Sequence, residues 1–112
     1  VYGDRIVWQD NRNGWDIFLY DLATNTEQQI TTNTAAQVSP AIYGDRIVWQ
    51  DNRDGNEDIY LYDLTTGEVQ QLTTNIANQL SPAIMGNRIV WQDERNSDSS
   101  AYGNSDIYCL SC

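Results

Sequence analysis

The sequence contains no histidine and no lysine. Without histidine, one chain cannot form a Ser-His-Asp triad, a Cys-His dyad or an imidazole metal site. Sixteen acidic residues stand against six arginines, and the formal net charge is −10. This balance argues against nucleic acid as a partner, and it favours solubility, cations or a basic partner.

The chain also lacks a long apolar run. No segment approaches the roughly 18 residues that a membrane helix needs, and no signal-peptide pattern is present. The chain opens on Val1-Tyr2, inside a repeated motif and without methionine. We therefore expect a processed protein or a piece of a longer one, and the missing signal peptide says little about location.

An internal repeat dominates the 112 residues. The segment 2–12 returns unchanged at 43–53, and it returns with three substitutions at 85–95. Its marker tryptophans, Trp8, Trp49 and Trp91, are 41 and 42 residues apart. The sequence thus predicts one domain over 1–112, built from units 2–42 and 43–84 and a partial unit 85–112.

Each unit is predicted to contain four short strands. In the second copy, 46–50 and 58–64 are rich in β-branched and aromatic residues, and a segment of turn-forming residues separates them. Residues 69–73 alternate as in a more exposed strand, and 80–84 form a further strand whose ladder Pro82 limits. Four antiparallel strands in about 42 residues are typical of a β-propeller blade. We predict an all-β fold, an incomplete propeller of about 2.7 blades.

The stretch 39–64, SPAIYGDRIVWQDNRDGNEDIYLYDL, followed by Gln71-Leu72-Thr73, resembles the TolB-type (WD40-like) propeller repeat, as in archaeal and bacterial cell-surface proteins. The resemblance covers essentially the whole chain. It implies a non-catalytic interaction scaffold outside the cytoplasm. In relatives that include an enzyme, it implies that the chemistry belongs to another domain.

About 2.7 units are too few to close a propeller, which typically has at least four blades. Open ends would leave apolar faces and strand edges exposed. Three solutions remain open: a longer parent chain, several copies closed into a ring, or a head-to-tail filament.

One end of the blades is predicted to be the binding surface. In an up-and-down meander the loops 10–16, 51–58 and 93–106 share an end with the loops 31–37 and 73–79, and ligands commonly contact loops on rigid scaffolds. Trp15 is a contact candidate or a loop-packing residue, and the insert 96–105 is a specificity loop or a tolerated insertion. The candidate ligand-binding residues are Arg12, Trp15, Arg53, Arg95, Asp98 and Tyr102.

Hard oxygen donors in the second loop raise the question of a calcium site. Asp51, Asp54 and Asp58 are candidate Ca²⁺ ligands. The alternative is that these carboxylates bind their own turn backbone and that Arg53 pairs with one of them. We favour the alternative, and no other cofactor is expected.

Two further columns of the repeat have structural and functional interpretations. Trp8, Trp49 and Trp91 lie within predicted strands, so buried packing between blades is favoured over sugar stacking. The arginines at 5, 46 and 88 are expected to pair with aspartates of their own or a neighbouring blade, and the alternative is an anion-binding ring.

Both cysteines lie in the last four residues, at Cys109 and Cys112. The pair suggests a redox motif, half a metal site or a disulfide. Zinc needs four ligands and a redox motif normally opens a helix, and neither context is present. A disulfide between the two is favoured in an extracellular setting, with an interchain bond as the alternative.

Three functions remain to be compared. The first is a non-catalytic extracellular or cell-surface scaffold that binds a protein or a glycan. The second is a structural protein whose incomplete blades assemble in trans into a ring or filament. The third is a carboxylate-based hydrolase. Because the aspartates recur in register with the fold, as structural residues do, the sequence predicts no enzyme.

Overall fold

A computed structural model describes residues 1–74, 77–94 and 106–110. Regular structure in these ranges is β-strand throughout, and they contain no helix long and apolar enough to cross a membrane. The strands are β1 (Arg5–Asp10), β2 (Asp16–Asp21), β3 (Thr26–Gln29), β4 (Gln37–Tyr43), β5 (Arg46–Asp51), β6 (Asp58–Asp63), β7 (Glu68–Gln71), β8 (Gln79–Met85), β9 (Arg88–Asp93) and β10 (Asp106–Leu110). The predicted all-β class is confirmed.

The strands form three antiparallel sheets in chain order, here called blades 1, 2 and 3. Blade 1 is β1-β2-β3, blade 2 is β4-β5-β6-β7, and blade 3 is β8-β9-β10. One four-stranded sheet between two three-stranded ones is the incomplete propeller that the repeat predicts, within the part of the chain that the structure describes.

The blades are offset from the sequence units. Strand β4 ends the unit 2–42 but pairs with β5 of the following unit. The two-residue connection Gly44-Asp45 joins them as a hairpin, and Gly44 has a φ of +59°, which the first position of a type II′ turn requires. The complete blade therefore spans 37–71.

The hydrophobic core lies between the blades. Along β5, Ile47 and Trp49 pack toward blade 1, whereas Val48 packs toward blade 3. Alternate side chains of a strand point to opposite faces, so a sheet covered on both faces has a continuous apolar run. The predicted packing between blades is found for Trp49 and Trp91, which are both buried, whereas Trp8 on the outer face of blade 1 is only partly buried.

Candidate binding rim

The loops at one end of the blades form a connected surface, here called the rim: residues 11–15, 30–36, 52–57, 72–74 and 77–78. Hydrogen bonds link the loop that leads into a blade to the next loop of that blade. The backbone N–H of Asn52 donates to the carbonyl of Ala36 (3.2 Å), and that of Glu94 donates to the carbonyl of Asn78 (2.9 Å). The structure thus brings together the two loop families that alternation along the meander predicts.

Side chains add to these links at the boundary between blades 2 and 3. The backbone N–H of Glu57 donates to Asn78 Oδ1 (2.9 Å), and Asn56 Nδ2 donates to the carbonyl of Ala77 (3.1 Å). Loops that are hydrogen-bonded through both backbone and side chains lose less conformational freedom if they bind a partner.

A stacked cluster recurs at the rim end of blades 1 and 2. In blade 2, the Trp49 indole stacks on the Tyr60 ring, with 6.2 Å between centroids, and Arg53 Cζ lies 4.3 Å from the centroid of the same tyrosine. Trp49 Nε1 and the Arg53 guanidinium both donate to the Asp51 carboxylate. The arginine thus gains cation–π and charge-assisted contacts together.

Blade 1 repeats this cluster in a more exposed form. Trp8 stacks on Phe18, Arg12 Cζ lies 4.2 Å from the Phe18 centroid, and Trp8 Nε1 donates to Asp10 Oδ2 at 3.0 Å. Arg12 also pairs with Glu27 of β3. The rim position predicted for Arg12 and Arg53 agrees with the structure, which in addition engages both guanidinium groups in contacts within their own blade.

The ionic contacts shift the acidity of these carboxyls. Hydrogen bonds from Arg12 hold the pKa of Asp10 well below its ordinary value. Burial by itself raises the pKa of Asp51, but hydrogen bonds from Arg53 and Trp49 outweigh it and lower the pKa. Desolvation, together with the hydrogen bond to Asp54, raises the pKa of Tyr60 to about 12. At neutral pH the two aspartates are therefore charged and the Tyr60 hydroxyl is neutral. None of these pKa values is shifted toward 7, as proton transfer at neutral pH would need.

The three candidate calcium ligands have separate hydrogen-bond partners. Asp51 binds Trp49 and Arg53, Asp54 accepts from the Tyr60 hydroxyl at 3.1 Å, and Asp58 accepts from Thr73 Oγ1 at 3.1 Å. In the described ranges no three acidic or cysteine side chains form a group that could hold a metal ion. The arrangement matches the alternative reading of this loop, in which the carboxylates bind nearby donors.

Trp15 lies on the rim with 41% of its surface exposed. Its carbonyl accepts the backbone N–H of Gln37 at 2.8 Å, so the backbone beneath the ring is anchored to the first strand of blade 2. Elsewhere on the rim, Thr32, Asn33 and Arg53 line a groove of about 180 Å³ between blades 1 and 2. An exposed indole and a groove with polar lining residues on one rim are both suited to contact with a partner.

Four predicted residues lie outside the described ranges. They are Arg95, Asp98, Tyr102 and Cys112. The rim roles of the first three, and the disulfide of Cys109 with Cys112, stay predictions.

Sequence reasoning missed two buried polar columns beneath the rim. Thr31 Oγ1 accepts from the backbone N–H of Ile17 and donates to Asp16, and Thr73 does the same with Ile59 and Asp58. Gln37 and Gln79 are also fully buried, and their Nε2 groups donate to the carbonyls of residues 35 and 77. Identity between the first two units at these positions was the available signal.

A comparison with solved structures finds proteins that contain a similar architecture. The chain matches a structure described as TolB from Agrobacterium tumefaciens at a TM-score of 0.78 and 16% identity, over 96% of this chain and 42% of that one. It matches TolB from Acinetobacter baumannii at a TM-score of 0.75 and 22% identity, over 95% of this chain and 26% of that one. The tricorn protease matches at 0.59 and 20% identity, over 84% of this chain and 8% of that one.

The chain therefore spans less than half the length of the TolB structures it matches. No family model and no curated protein matches the sequence. Identities at this level show the fold alone. On that basis, the chain has the fold of part of a TolB-like β-propeller.

Proposed function

We propose that the chain is a non-catalytic binding scaffold, located outside the cytoplasm or at the cell surface, whose rim contacts a protein. The observation that supports it most is the exposed Trp15, on the same rim as the groove of Thr32, Asn33 and Arg53. The TolB-like fold agrees with protein binding, and the net charge of −10 favours a partner with a basic surface. A glycan is the alternative ligand, since an indole also stacks on sugar rings.

Several features support binding over hydrolysis. Asp10, Asp51 and Asp93 occupy one column of the repeat, and each accepts the indole N–H of the tryptophan two residues before it, at 3.0 Å. Carboxylates held in this way in every blade serve the fold, whereas a glycosidase needs a pair of carboxyls that face a substrate.

The experiment is a peptide-display screen for protein ligands and a glycan array, both with the 112-residue chain. The affinity of each ligand is then measured for Trp15→Ala and for the matched control Leu22→Ala. Leu22 is also an exposed apolar residue, but it lies in the β2–β3 connection at the opposite end. We expect at least tenfold weaker binding with Trp15→Ala and no change with Leu22→Ala.

A screen without ligands, or ligands that respond to Leu22→Ala and not to Trp15→Ala, would contradict the rim proposal. Ligands found only on the glycan array would replace the protein partner with a sugar. A titration with Ca²⁺ in the same assays tests the predicted metal site.

Self-assembly is the second candidate function. The exposed apolar faces at the two ends of the blade array favour it.

A further inference from the structure

The outer face of blade 3 repeats a face that is buried twice elsewhere in the chain. Ile17 on blade 1 and Ile59 on blade 2 occupy the same repeat position, and both are 0% exposed because the next blade covers them. Their counterpart in blade 3, Ile107, is 72% exposed. The opposite end shows the same contrast, with Ile6 38% exposed against 0% for Ile47.

A polar contact joins each blade to the next beside this apolar surface. Arg5 of blade 1 donates to the carbonyl of Gly44 (3.1 Å) and to the carboxylate of Asp45 (2.6 Å) in the first turn of blade 2. Arg46 of blade 2 donates in the same way to the carbonyl of Gly86 and to Asn87 Oδ1 in blade 3. The predicted pairing with aspartates is found for Arg5, which contacts Asp45 of the next blade and Asp21 of its own, whereas Arg46 binds an asparagine at the corresponding position.

At each end of the blade array, one half of this contact is present without the other half. Arg88 is the third member of the arginine column, it is exposed, and its guanidinium forms no hydrogen bond or ion pair within the described residues. At the other end, Tyr2-Gly3-Asp4 has the same sequence as Tyr43-Gly44-Asp45, which receives Arg5. A cleft of about 260 Å³ opens beside Gly3 and Asp4.

An aromatic contact also joins blade 1 to blade 2. The ring of Tyr2 lies 4.7 Å from that of Tyr43, the residue at the same position one blade later. Met85 is the third member of this column, and it is exposed. A thioether packs favourably against an aromatic ring, so Met85 is suited to meet Tyr2 of another copy.

We propose that copies of this chain dock head to tail, with the outer face of blade 3 of one copy against the outer face of blade 1 of the next. Arg88 donates to the carbonyl of Gly3 and to the carboxylate of Asp4, Ile107 is covered, and Met85 packs on Tyr2. This inference specifies the surface for the self-assembly candidate, and it does not depend on what the rim binds.

The docked interface is weaker than the junctions within the chain. In the described residues, the sheet of blade 1 has no strand that corresponds to β4, so this surface lacks the buried Ile42 of the internal junction. The net charge of −10 on each copy also opposes association, and about 0.15 M salt screens it beyond roughly 8 Å. We therefore expect association that depends on protein concentration.

A charge exchange tests this geometry. The variants Arg88→Glu and Asp4→Arg each place like charges at the contact, so each one alone is expected to stay monomeric at concentrations where the native chain associates. An equal mixture of the two restores an opposite-charge pair at every contact and is expected to associate again. Sedimentation velocity over a range of concentrations measures the mass of each sample.

Two further variants test whether this surface, and not another one, is responsible for association. Ile107→Asp, at a position already exposed in the monomer, is expected to abolish association without unfolding the chain. Glu68→Arg changes the charge by the same amount as Asp4→Arg on exposed strand β7, and it is expected to leave association intact.

A native chain that stays monomeric at all concentrations would overturn the proposal. Single variants that associate as well as the native chain would also overturn it, because another surface would then be responsible. Trp15→Ala should assemble normally, so a failed rim proposal and a failed docking proposal give different results.

Discussion

Asp51 is a fully buried carboxylate with hydrogen-bond partners two residues away on each side, Trp49 and Arg53. It accepts the Trp49 indole N–H at 3.0 Å, and it accepts the Arg53 backbone N–H and guanidinium at 2.7–3.0 Å. Its counterpart Asp10 makes the same type of contacts, but its side chain is 21% exposed against 0% for Asp51. A buried charge that loses its partner is penalised more than an exposed one.

The two residues give a matched prediction. Asp51→Asn is expected to lower the free energy of unfolding by about 3 kcal/mol, because it leaves a partly buried guanidinium without its anion. Asp10→Asn is expected to lower the free energy of unfolding by clearly less, since water can replace the lost carboxylate at this more exposed position. Urea denaturation at pH 7 measures both, and equal losses would show that burial does not set the cost.

The pH dependence of the free energy of unfolding provides a second test of the role of Asp51. The folded-state pKa of Asp51 lies below 3.8, its value without these contacts. The stability that it supplies is thus fully present above about pH 4 and is lost as the pH falls through the folded-state pKa. The difference in stability between the native chain and Asp51→Asn should narrow below about pH 4, and a constant difference would contradict the assignment.

At the scale of single elements, the first strand of a blade contains a bulge that links it to the preceding blade. The pairing of β4 with β5 shifts between Val38 and Ala41, and Ser39 there has a φ of +55°. Its backbone N–H donates to Gln9 Oε1 on blade 1 at 2.8 Å. Ser81 repeats the bulge in β8 and donates to Gln50 Oε1. The proline that follows each serine is accommodated because a bulge does not need its missing N–H.

Removal of the acceptor tests this link. Gln9→Leu is expected to cost about 1 kcal/mol and to speed hydrogen exchange of the Ser39 N–H roughly fivefold. Gln92→Leu is the control, because Gln92 has the same repeat position and accepts no such bond in the described part of the chain. Unchanged exchange at Ser39 in Gln9→Leu would show that the bulge does not depend on the glutamine.

The turns show how far local sequence predicts these elements. Gly67 has the positive φ, +74°, that its place in a Thr-Thr-Gly-Glu turn predicts, and the first copy uses Asn25 at +54° instead. Strands and turns were predictable because their signals lie within a few residues and recur in each copy. The burial of Thr31 and the stacking of Arg12 on Phe18 were not, because both depend on residues brought together from different strands.

At the scale of the whole molecule, Arg5 and Arg46 form hydrogen bonds that connect neighbouring blades. Arg46 donates from blade 2 to the carbonyl of Gly86 and to Asn87 of blade 3, next to the apolar core that those two blades share. Charge-assisted hydrogen bonds across a junction stabilise both blades at once, so we expect them to unfold together.

Arg46→Gln is expected to lower the free energy of unfolding by about 1 to 2 kcal/mol, through loss of the charge-assisted bonds to blade 3. Arg88→Gln, at the same repeat position, should change the stability of the monomer by less than about 0.5 kcal/mol. Thermal unfolding at concentrations too low for association measures both. A loss as large in Arg88→Gln would mean that the arginine stabilises its own blade instead of the junction.

The sequence by itself determined the blade: its period, its strands, its turns and the rim on which its loops meet. These features follow from local propensity repeated in register, which needs no knowledge of distant contacts. Only the tertiary structure decided which strand pairs across the unit boundary, which aspartate is buried and which arginine reaches the next blade. The same YGDR and WQD sequences are more buried in blade 2 than in blade 1, because burial depends on the neighbouring blade and not on the residues themselves.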